Sequence, residues 1–261
     1  MKRTGENDSR ALSHSWPASG QEFSATCSVS AIEGHTLWAN TYDLTPNPLL
    51  ALEARTLDFL LPFFHHKFVI DVACGTGRWL LKLKAHGVSR SLGIDLSAEM
   101  LAQASRKPLL NGSLIRGHAC ALPVRSAAAD LVMSSFAIGY IEDLRAFAGE
   151  LARVSRPYAM VVVSDFHPAN HFRRWRRTFR LGNEVFEIIS FDRPTAQICD
   201  EFGRAGFSLE TCMEPSFGEP ERHLFEANGK GQLFENYRGE PAIFACIFRR
   251  IPKPLSSENA G

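Results

Sequence analysis

The sequence predicts an α/β fold in which a mostly parallel sheet of seven strands carries helices on both faces. Two observations support this. Short, β-branched apolar runs alternate with segments of helical periodicity along most of the chain, as is typical of parallel sheets with helical crossovers. In addition, the stretch "FVIDVACGTGRWLLKLKAHG" (68–87) joins a strand to a helix through a glycine turn, which predicts the first half of a βαβ unit.

The elements are predicted in order along the chain. The continuous apolar run at 68–73 predicts a buried strand, and Trp79 to Leu83 begin the helix that follows it. Further strands are predicted at 90–95, 113–119, 130–136, 159–166, 207–215 and 241–251, and helices at 97–107, 143–155 and 195–206. The segment 215–240 is rich in Gly, Pro, Glu and Asn and predicts a long connection.

The alternation of strands and helices is interrupted after residue 166. There "HFRRWRRTFR" (171–180) predicts a helix with arginines on one face, and Gly182-Asn183 predicts the turn of a hairpin. We therefore predict one domain, residues 38–250, with a capping insertion at about 167–193. Residues 1–37 are predicted to form a flexible arm, and residues 251–261 a tail.

Composition and charge argue against several classes of function. The formal net charge of +1, from 29 basic and 28 acidic residues, argues against a chain that mainly holds nucleic acid by its phosphates. Six cysteines without metal-binding spacing predict a reduced, intracellular protein and no metal site. No apolar run is long enough to span a membrane, and the N-terminal residues lack the apolar core of a signal peptide, so a cytoplasmic location is expected.

The glycine turn does not fit two common phosphate sites. The third glycine of the dinucleotide fingerprint is replaced by Leu80, and the Gly-Lys-Ser/Thr of a P-loop is absent. An acid in the strand, Asp71, and an acid ending the next strand, Asp95, instead suit a ligand with an ammonium group and a ribose diol, and the glycine amides suit a carboxylate. These groups favour S-adenosylmethionine over NAD. A turn without a ligand is the alternative.

Five segments, "VIDVACGTGRW", "LGIDLSAEML", "GHACALPV", "ADLVMSSF" and "ELARVSRPYAMVVVSDF", resemble in order and spacing those of the class I S-adenosylmethionine-dependent methyltransferases, and closely the type 11, small-molecule branch. The resemblance covers about residues 38–250. It implies a Rossmann-like sheet with an antiparallel last strand and an N-terminal lid. It also implies a set of cofactor-binding residues: Tyr42, Asp71, Ala73, Gly75, Gly77, Asp95, Leu96, Met100, His118, Ala119, Ser134 and Ser135.

The chain departs from the family pattern at three positions. His118 stands where an aspartate usually accepts a hydrogen bond from the adenine amino group, and a neutral imidazole is expected to accept it instead. Tyr158 occupies a turn that usually contains glycine, so an altered turn geometry is predicted. Tyr140 stands where relatives often carry a histidine.

Residues that would contact the molecule receiving the methyl group are predicted from their position and chemistry. His167 directly follows the fifth strand and is a candidate general base, with a turn-forming role before Pro168 as the alternative. Tyr140 is a candidate catalytic hydrogen-bond donor or a packing residue. Trp175, Arg173 and Arg177 are candidate substrate contacts, or parts of a solvated basic face.

These residues predict methyl transfer to an O, N or C atom of a small, hydrophobic or aromatic acceptor, with or without an anionic group. Two alternatives stay open. The first is a protein that binds the cofactor without transferring its methyl group, as a rearrangement catalyst or a sensor. The second is an RNA methyltransferase that uses the arginine-rich insertion, although nucleic acid is the less favoured partner at this net charge.

Overall fold

The computed structural model describes residues 27–44, 46–170 and 175–252. In chain order its strands and α-helices are β1 (Cys27–Val29), α1 (Ala31–Trp38), α2 (Pro48–Leu57), β2 (Phe68–Val72), α3 (Arg78–Ala85), β3 (Arg90–Asp95), α4 (Ala98–Ser105), β4 (Leu114–Arg116), β5 (Ala129–Ser135), α5 (Leu144–Val154), β6 (Ser155–Phe166), β7 (Thr178–Leu181), β8 (Glu184–Ile188), α6 (Thr195–Arg204), β9 (Phe207–Met213), α7 (Glu219–Ala227), α8 (Gly231–Tyr237) and β10 (Ile243–Arg250). Short 3₁₀ helices include Tyr42–Leu44 and Ile138–Tyr140.

Seven strands form the main sheet in the order β4-β3-β2-β5-β6-β10-β9. The first five of these are parallel, whereas β10 runs antiparallel to both of its neighbours. The predicted fold class is therefore confirmed. Strand β2 is central, with β3 on one side and β5 on the other, so the order of the strands reverses at its carboxyl end. Ligands of open α/β sheets bind at such a reversal.

Successive side chains of β2 explain why its sequence reads as one continuous apolar run. Val69 packs with Trp79 and Leu83 of α3 on one face of the sheet. Ile70 packs with Phe147 and Leu151 of α5 on the opposite face. Because both faces of the strand are covered by helices, alternation of polar and apolar residues is absent.

The insertion after β6 contains the predicted hairpin, formed by β7 and β8 with Gly182 at φ +60° in its turn. Strand β1 adds to it in parallel, pairing Cys27 with Phe186, and Val29 is buried there with Phe179 and Phe186. The prediction of a flexible arm over residues 1–37 is thus wrong for 27–37, because this apolar packing holds β1 and α1 on the insertion. Residues 1–26 and 253–261 lie outside the described residues.

The predicted helix over 171–180 is wrong in its described part. Residues 175–177 have no regular structure and residues 178–181 form β7, in which Phe179 is fully buried while its neighbours are half-buried. This alternation has the period of a strand, so Arg176, Arg177 and Arg180 do not share a helical face. Residues 171–174 are not described, and the prediction for Arg173 lies among them.

The predicted long connection at 215–240 is also wrong, because α7 and α8 occupy most of it. Phe225 of α7 and Phe234 of α8 are buried against Leu49 and Leu52 of α2. The apolar residues of these two short helices lie between glycines and prolines. The composition of the segment is therefore typical of a loop and did not indicate the helices.

Two further expectations differ from the structure. Tyr158, within β6, adopts φ +64°, so the left-handed conformation forms in spite of its side chain, which is exposed to solvent. Cys212 and Cys246 are register partners on β9 and β10 and form a disulfide, so the prediction of reduced cysteines is wrong for this pair. Within the described residues, no helix has the length and apolar character that a membrane crossing requires.

Candidate functional site

A cavity of about 170 Å³ lies at the carboxyl edge of the sheet, beneath α1. Nine of the twelve residues predicted to bind the cofactor line it: Tyr42, Ala73, Gly75, Asp95, Leu96, Met100, His118, Ala119 and Ser135. A dry protein cavity of roughly 150 Å³ is large enough for a benzene molecule, so this one has room for a ring system. We refer to it as the cofactor cavity.

Asp95 ends β3 and organises one wall of the cofactor cavity. Its Oδ2 accepts a hydrogen bond from the Gly75 amide at 2.7 Å, and its Oδ1 accepts one from the Ser97 amide at 2.8 Å. Burial raises the pKa of Asp95, while these amide donors oppose the rise. Each carboxylate oxygen can accept a second hydrogen bond, so the group can fix the glycine loop and still receive hydroxyl donors from a ribose.

Asp71 of β2 does not line the cavity but is buried behind this wall, with a 2% exposed fraction. Among the described residues, no hydrogen-bond donor reaches its Oδ1. Burial raises the pKa of Asp71 to about 8, and the charges of Glu53 and Asp95 add to the rise while Arg78 opposes it. A buried acceptor without a partner is unusual in a folded protein, and an ammonium group would satisfy it.

The two glycines of the loop have different surroundings. A Cβ added to Gly75, at φ +54°, would meet no atom within 4 Å, because this residue faces the open cavity. A Cβ added to Gly77, at φ +81°, would lie 2.4 Å from Leu110 Cδ1. Gly75 therefore leaves space for a ligand, whereas Gly77 permits close packing at the start of α3. Gly77 was predicted to contact the methionine end of the cofactor, but it does not line the cavity.

The two serines at the end of β5 also have different surroundings. Ser134 is buried and its hydroxyl donates to the Val72 carbonyl at 3.0 Å, so it links β5 to β2 and does not line the cavity. Ser135 lines the cavity and accepts a hydrogen bond from Arg78 Nη2 at 2.9 Å. Only Ser135 of this pair is placed to form the predicted floor.

Backbone strain is present in the same cavity. Ala73 at φ +58° and Phe136 at φ +52° adopt the left-handed conformation without being glycines, and both line the cavity. Such conformations concentrate at ligand sites, where the surrounding structure enforces them. The strain is an independent indication that this edge of the sheet is functional.

His118 lies at the exposed end of the cofactor cavity. Its Nδ1 accepts a hydrogen bond from the Cys120 amide at 3.1 Å, so in the neutral ring the proton resides on Nε2. We predicted that His118 accepts a hydrogen bond from the adenine amino group, but the free nitrogen of this tautomer, Nε2, is a donor. With this tautomer His118 offers a donor, which suits a ring nitrogen of adenine.

A second cavity, of about 70 Å³, adjoins the first and shares His35, Tyr42, Phe136 and Tyr140 with it. Its other walls are mainly apolar and aromatic, with Arg176 and Arg177 at one side: the remaining lining residues are Trp38, Asn47, Leu49, Leu50, Phe166, Trp175 and Thr178. The predicted residues Tyr140, Trp175 and Arg177 all belong to it. We refer to it as the aromatic cavity.

Arg177 is held by a buried ion pair. Its Nη2 lies 2.7 Å from Asp165 Oδ1, and its guanidinium stacks over the rings of Phe166 and Tyr140 at 4.2 and 4.8 Å. Burial opposes the charge of Arg177, but Asp165 and Tyr140 outweigh it and raise its pKa. The arginine therefore anchors the insertion to the end of β6. Arg176, whose side chain is 59% exposed, pairs only at the surface with Glu187.

His167, the predicted general base, lies elsewhere. It lines a separate cavity of about 40 Å³ on another side of Arg177. Its Nε2 is 3.2 Å from Glu214 Oε1, and its Nδ1 accepts a hydrogen bond from the Ala169 amide at 3.2 Å. It lines neither the cofactor cavity nor the aromatic cavity, so the geometry gives no support to a role as base.

Sequence reasoning missed two residues near the site. His35 on α1 lines both cavities, and Glu53 on α2 is fully buried beside them. Glu53 forms an ion pair with Arg78 and accepts a hydrogen bond from Trp79 Nε1 at 3.0 Å. Glu53 stands among the apolar residues that α2 buries, and the helical spacing of those residues would have indicated it, whereas no spacing in the sequence relates His35 to the sheet. Within the described ranges, no cluster of His, Cys, Asp and Glu could hold a metal ion.

Comparison with known proteins agrees with this geometry. A family model described as "Methyltransferase domain" matches residues 69–158. A demethylmenaquinone methyltransferase of Shouchella clausii is 36% identical over 45% of the chain, and a malonyl-[acyl-carrier protein] O-methyltransferase of Methylovorus sp. is 31% identical over 65% of it. The alignments span 55% and 60% of the lengths of these two relatives.

The fold is also found in solved structures. An S-adenosylmethionine-dependent methyltransferase from Mesorhizobium loti superposes with a TM-score of 0.60 at 22% identity, covering 78% of this chain and all of that one. The finer placement in the type 11 branch stays a prediction. Residues 69–158 thus match a methyltransferase domain, and the fold is the one seen in S-adenosylmethionine-dependent methyltransferases, the proteins to which this chain is similar.

Proposed function

We propose that the protein transfers a methyl group from S-adenosylmethionine to an O, N or C atom of a small aromatic or hydrophobic acceptor bound in the aromatic cavity. The observation that carries the proposal is the shared wall of the two cavities, formed by His35, Tyr42, Phe136 and Tyr140. Methyl transfer requires donor and acceptor to meet in line, and adjoining cavities provide this alignment.

Several residues would hold the cofactor. Gly75 leaves room beside the loop, Asp95 has acceptor capacity for a ribose, Asp71 has an unpartnered oxygen suited to an ammonium group, and His118 offers a donor. When bound, S-adenosylmethionine supplies a methyl group that its sulfonium has already activated. The protein then has to orient the acceptor and exclude water.

The lining of the aromatic cavity favours a planar, apolar acceptor. Trp38, Phe136, Tyr140, Phe166 and Trp175 provide ring surfaces on which such a molecule can stack. Arg176 is the basic side chain of this wall that is not held in a buried ion pair, and it supports an acceptor with a carboxylate.

The experiment is an assay of S-adenosylhomocysteine formation with two probe acceptors, 1-hydroxy-2-naphthoate and 1-naphthol. We expect the first to react better, by about fivefold, because one exposed charge contact contributes up to ~1 kcal/mol. Arg176→Gln should remove this preference. Arg204→Gln is the matched control, since Arg204 is similarly exposed and pairs with Glu201 on α6.

The alternatives give different results in the same assay. A cofactor-binding protein that does not transfer the methyl group would bind S-adenosylmethionine and form no S-adenosylhomocysteine with either probe. An RNA methyltransferase would bind RNA with an affinity that falls steeply as salt increases. Either result would contradict the proposal.

A further inference from the structure

His35 occupies the boundary at which a methyl group would cross between the two cavities. Of the histidines that the structure describes, His118 lines the cofactor cavity and His167 neither cavity, whereas His35 lines both. Helix α1 is held over the sheet edge by a hydrogen bond of 3.0 Å from Thr36 Oγ1 to Glu99 Oε2 on α4. The histidine therefore reaches the site from α1, which we call the lid, and not from the sheet.

The ring of His35 has a defined orientation. Its Nδ1 lies 2.7 Å from the Ala31 carbonyl oxygen, one helical turn earlier. Because a carbonyl only accepts, Nδ1 carries the proton, and the neutral ring has its lone pair on Nε2. The ring also packs edge-on against Tyr140, with centroids 4.9 Å apart. These contacts fix which nitrogen is basic.

The groups around His35 leave its ring neutral near pH 7. Burial lowers its pKa, and Arg177 of the insertion acts in the same direction, while the Ala31 carbonyl and Asp95 of β3 oppose the change. The other titratable residues of the shared wall are Tyr42 and Tyr140, whose pKa values burial raises, so both keep their protons. No carboxylate lines the aromatic cavity within the described residues.

We infer that His35 is the general base of the reaction and that its Nε2 takes the proton the acceptor loses as it is methylated. The inference rests on the function proposed above. The acceptor's electron pair forms the new bond to the methyl carbon, and the carbon–sulfur bond of the donor breaks with its pair left on sulfur as S-adenosylhomocysteine. The proton of the acceptor's hydroxyl, amine or acidic carbon passes to His35 and then to solvent.

The first test needs no acceptor. Nuclear magnetic resonance of protein labelled with ¹⁵N and ¹³C at histidine, with S-adenosylhomocysteine bound, reports the tautomer and titration of His35, assigned by its loss in His35→Asn. We expect a neutral ring at pH 7 with Nδ1 protonated and Nε2 bare. A ring that is charged at pH 7, or neutral with the proton on Nε2, would overturn the inference.

The second test uses the pH dependence of kcat/KM with 1-hydroxy-2-naphthoate. His35→Asn keeps a donor for the Ala31 carbonyl but removes Nε2, so we expect it to fold, to bind S-adenosylhomocysteine, and to lose about 10²- to 10⁴-fold in kcat together with the acidic limb of the profile. His86→Asn is the matched control, because His86 Nδ1 makes the same contact with the Lys82 carbonyl at 2.8 Å on the exposed end of α3.

The two proposals fail in different ways. If wild type methylates the probe and His35→Asn retains its rate within threefold and its acidic limb, the inference about His35 is wrong and the proposed function stands. If wild type binds S-adenosylhomocysteine but methylates neither naphthol probe, the proposed acceptor class is wrong. The inference about His35 is then tested by the nuclear magnetic resonance experiment, which shows whether its Nε2 is unprotonated at pH 7.

Discussion

The cofactor cavity and the aromatic cavity are assembled in opposite ways. Most of the cofactor cavity comes from loops that follow consecutive strands, so Gly75, Asp95 and His118 are close in the fold because the strands are parallel. The aromatic cavity combines α1, α2, the segment after β5 and the insertion, which are far apart in the chain. The first is a property of the sheet, whereas the second depends on how the lid and the insertion pack on it.

The largest expected effect tests how the insertion is held. Arg177→Met leaves Asp165 buried without its cation, and removing one partner of a buried ion pair typically costs about 3–5 kcal/mol. We expect a loss of this size in the free energy of unfolding, measured by urea denaturation. Arg176→Met, at an exposed position beside it, should change stability by less than about 0.5 kcal/mol.

If the two cavities are built independently, the folded fraction of Arg177→Met should bind S-adenosylhomocysteine within about threefold of wild type. An affinity that falls in parallel with stability would show that the insertion also shapes the cofactor cavity, and the distinction between the two regions would be lost.

The next effect concerns the cofactor cavity alone. Asp95→Ala removes the acceptor that fixes Gly75 and Ser97 as well as the candidate ribose contact, so we expect about a 100-fold loss of affinity for S-adenosylmethionine by calorimetry. Asp130→Ala is the control, because Asp130 also accepts a backbone hydrogen bond, from Phe68 at 2.8 Å, but at the opposite end of β2. Equal losses in the two variants would contradict the assignment.

Asp71 predicts how binding depends on pH. If its carboxylate must ionise to receive an ammonium group, affinity for S-adenosylmethionine should rise about tenfold between pH 6 and pH 7, since both values lie below its pKa of about 8 in the free protein. Asp71→Asn should bind with a flat profile over this range. Calorimetry in buffers of different ionisation enthalpy should detect release of one proton in wild type.

The same carboxyl group affects stability with a definite sign. Its pKa in the folded protein is raised above the unfolded value, so the folded state keeps a proton that the unfolded chain releases. The free energy of unfolding should therefore fall as pH rises from about 4 to 8, and that of Asp71→Asn should fall less over the same range. A wild type that gains stability over this range relative to Asp71→Asn would contradict the raised pKa.

The smallest effect compares two strained residues. Ala73→Gly and Tyr158→Gly each relieve a left-handed conformation and should each stabilise the protein by about 1 kcal/mol. Ala73 lines the cofactor cavity, so its substitution should also alter cofactor affinity, whereas that of the exposed Tyr158 should not. An unchanged affinity in Ala73→Gly would indicate that the strain at residue 73 has no role in binding.

The contrast between the cavities also explains what could be predicted from sequence. Strand order and the residues at strand ends follow from local patterns, so the sheet and the positions of Gly75 and Asp95 were predictable. The roles of Gly77 and Ser134 were not, because a glycine against Leu110 and a hydroxyl bound to the Val72 carbonyl are tertiary contacts. Neighbouring positions in one motif therefore have different functions.

The acceptor side was predicted less well, for a related reason. His167 was chosen because it follows β6, but the backbone after that strand turns it towards Glu214. His35 was overlooked because no pattern in the neighbouring sequence relates it to Tyr140. Tertiary contacts, among them the parallel pairing of β1 with β8 and the hydrogen bond from Thr36 to Glu99, place α1 over the site. A period-two pattern around Phe179 would have corrected the predicted helix of the insertion.

The measurement that tests the account most directly is a calorimetric titration of 1-hydroxy-2-naphthoate into protein saturated with S-adenosylhomocysteine. Two adjoining cavities predict that the naphthoate binds one site without displacing S-adenosylhomocysteine, and that Arg176→Gln weakens this binding while leaving S-adenosylhomocysteine affinity unchanged. If the naphthoate competes with S-adenosylhomocysteine, the two ligands share one cavity and the account of separate donor and acceptor sites is wrong.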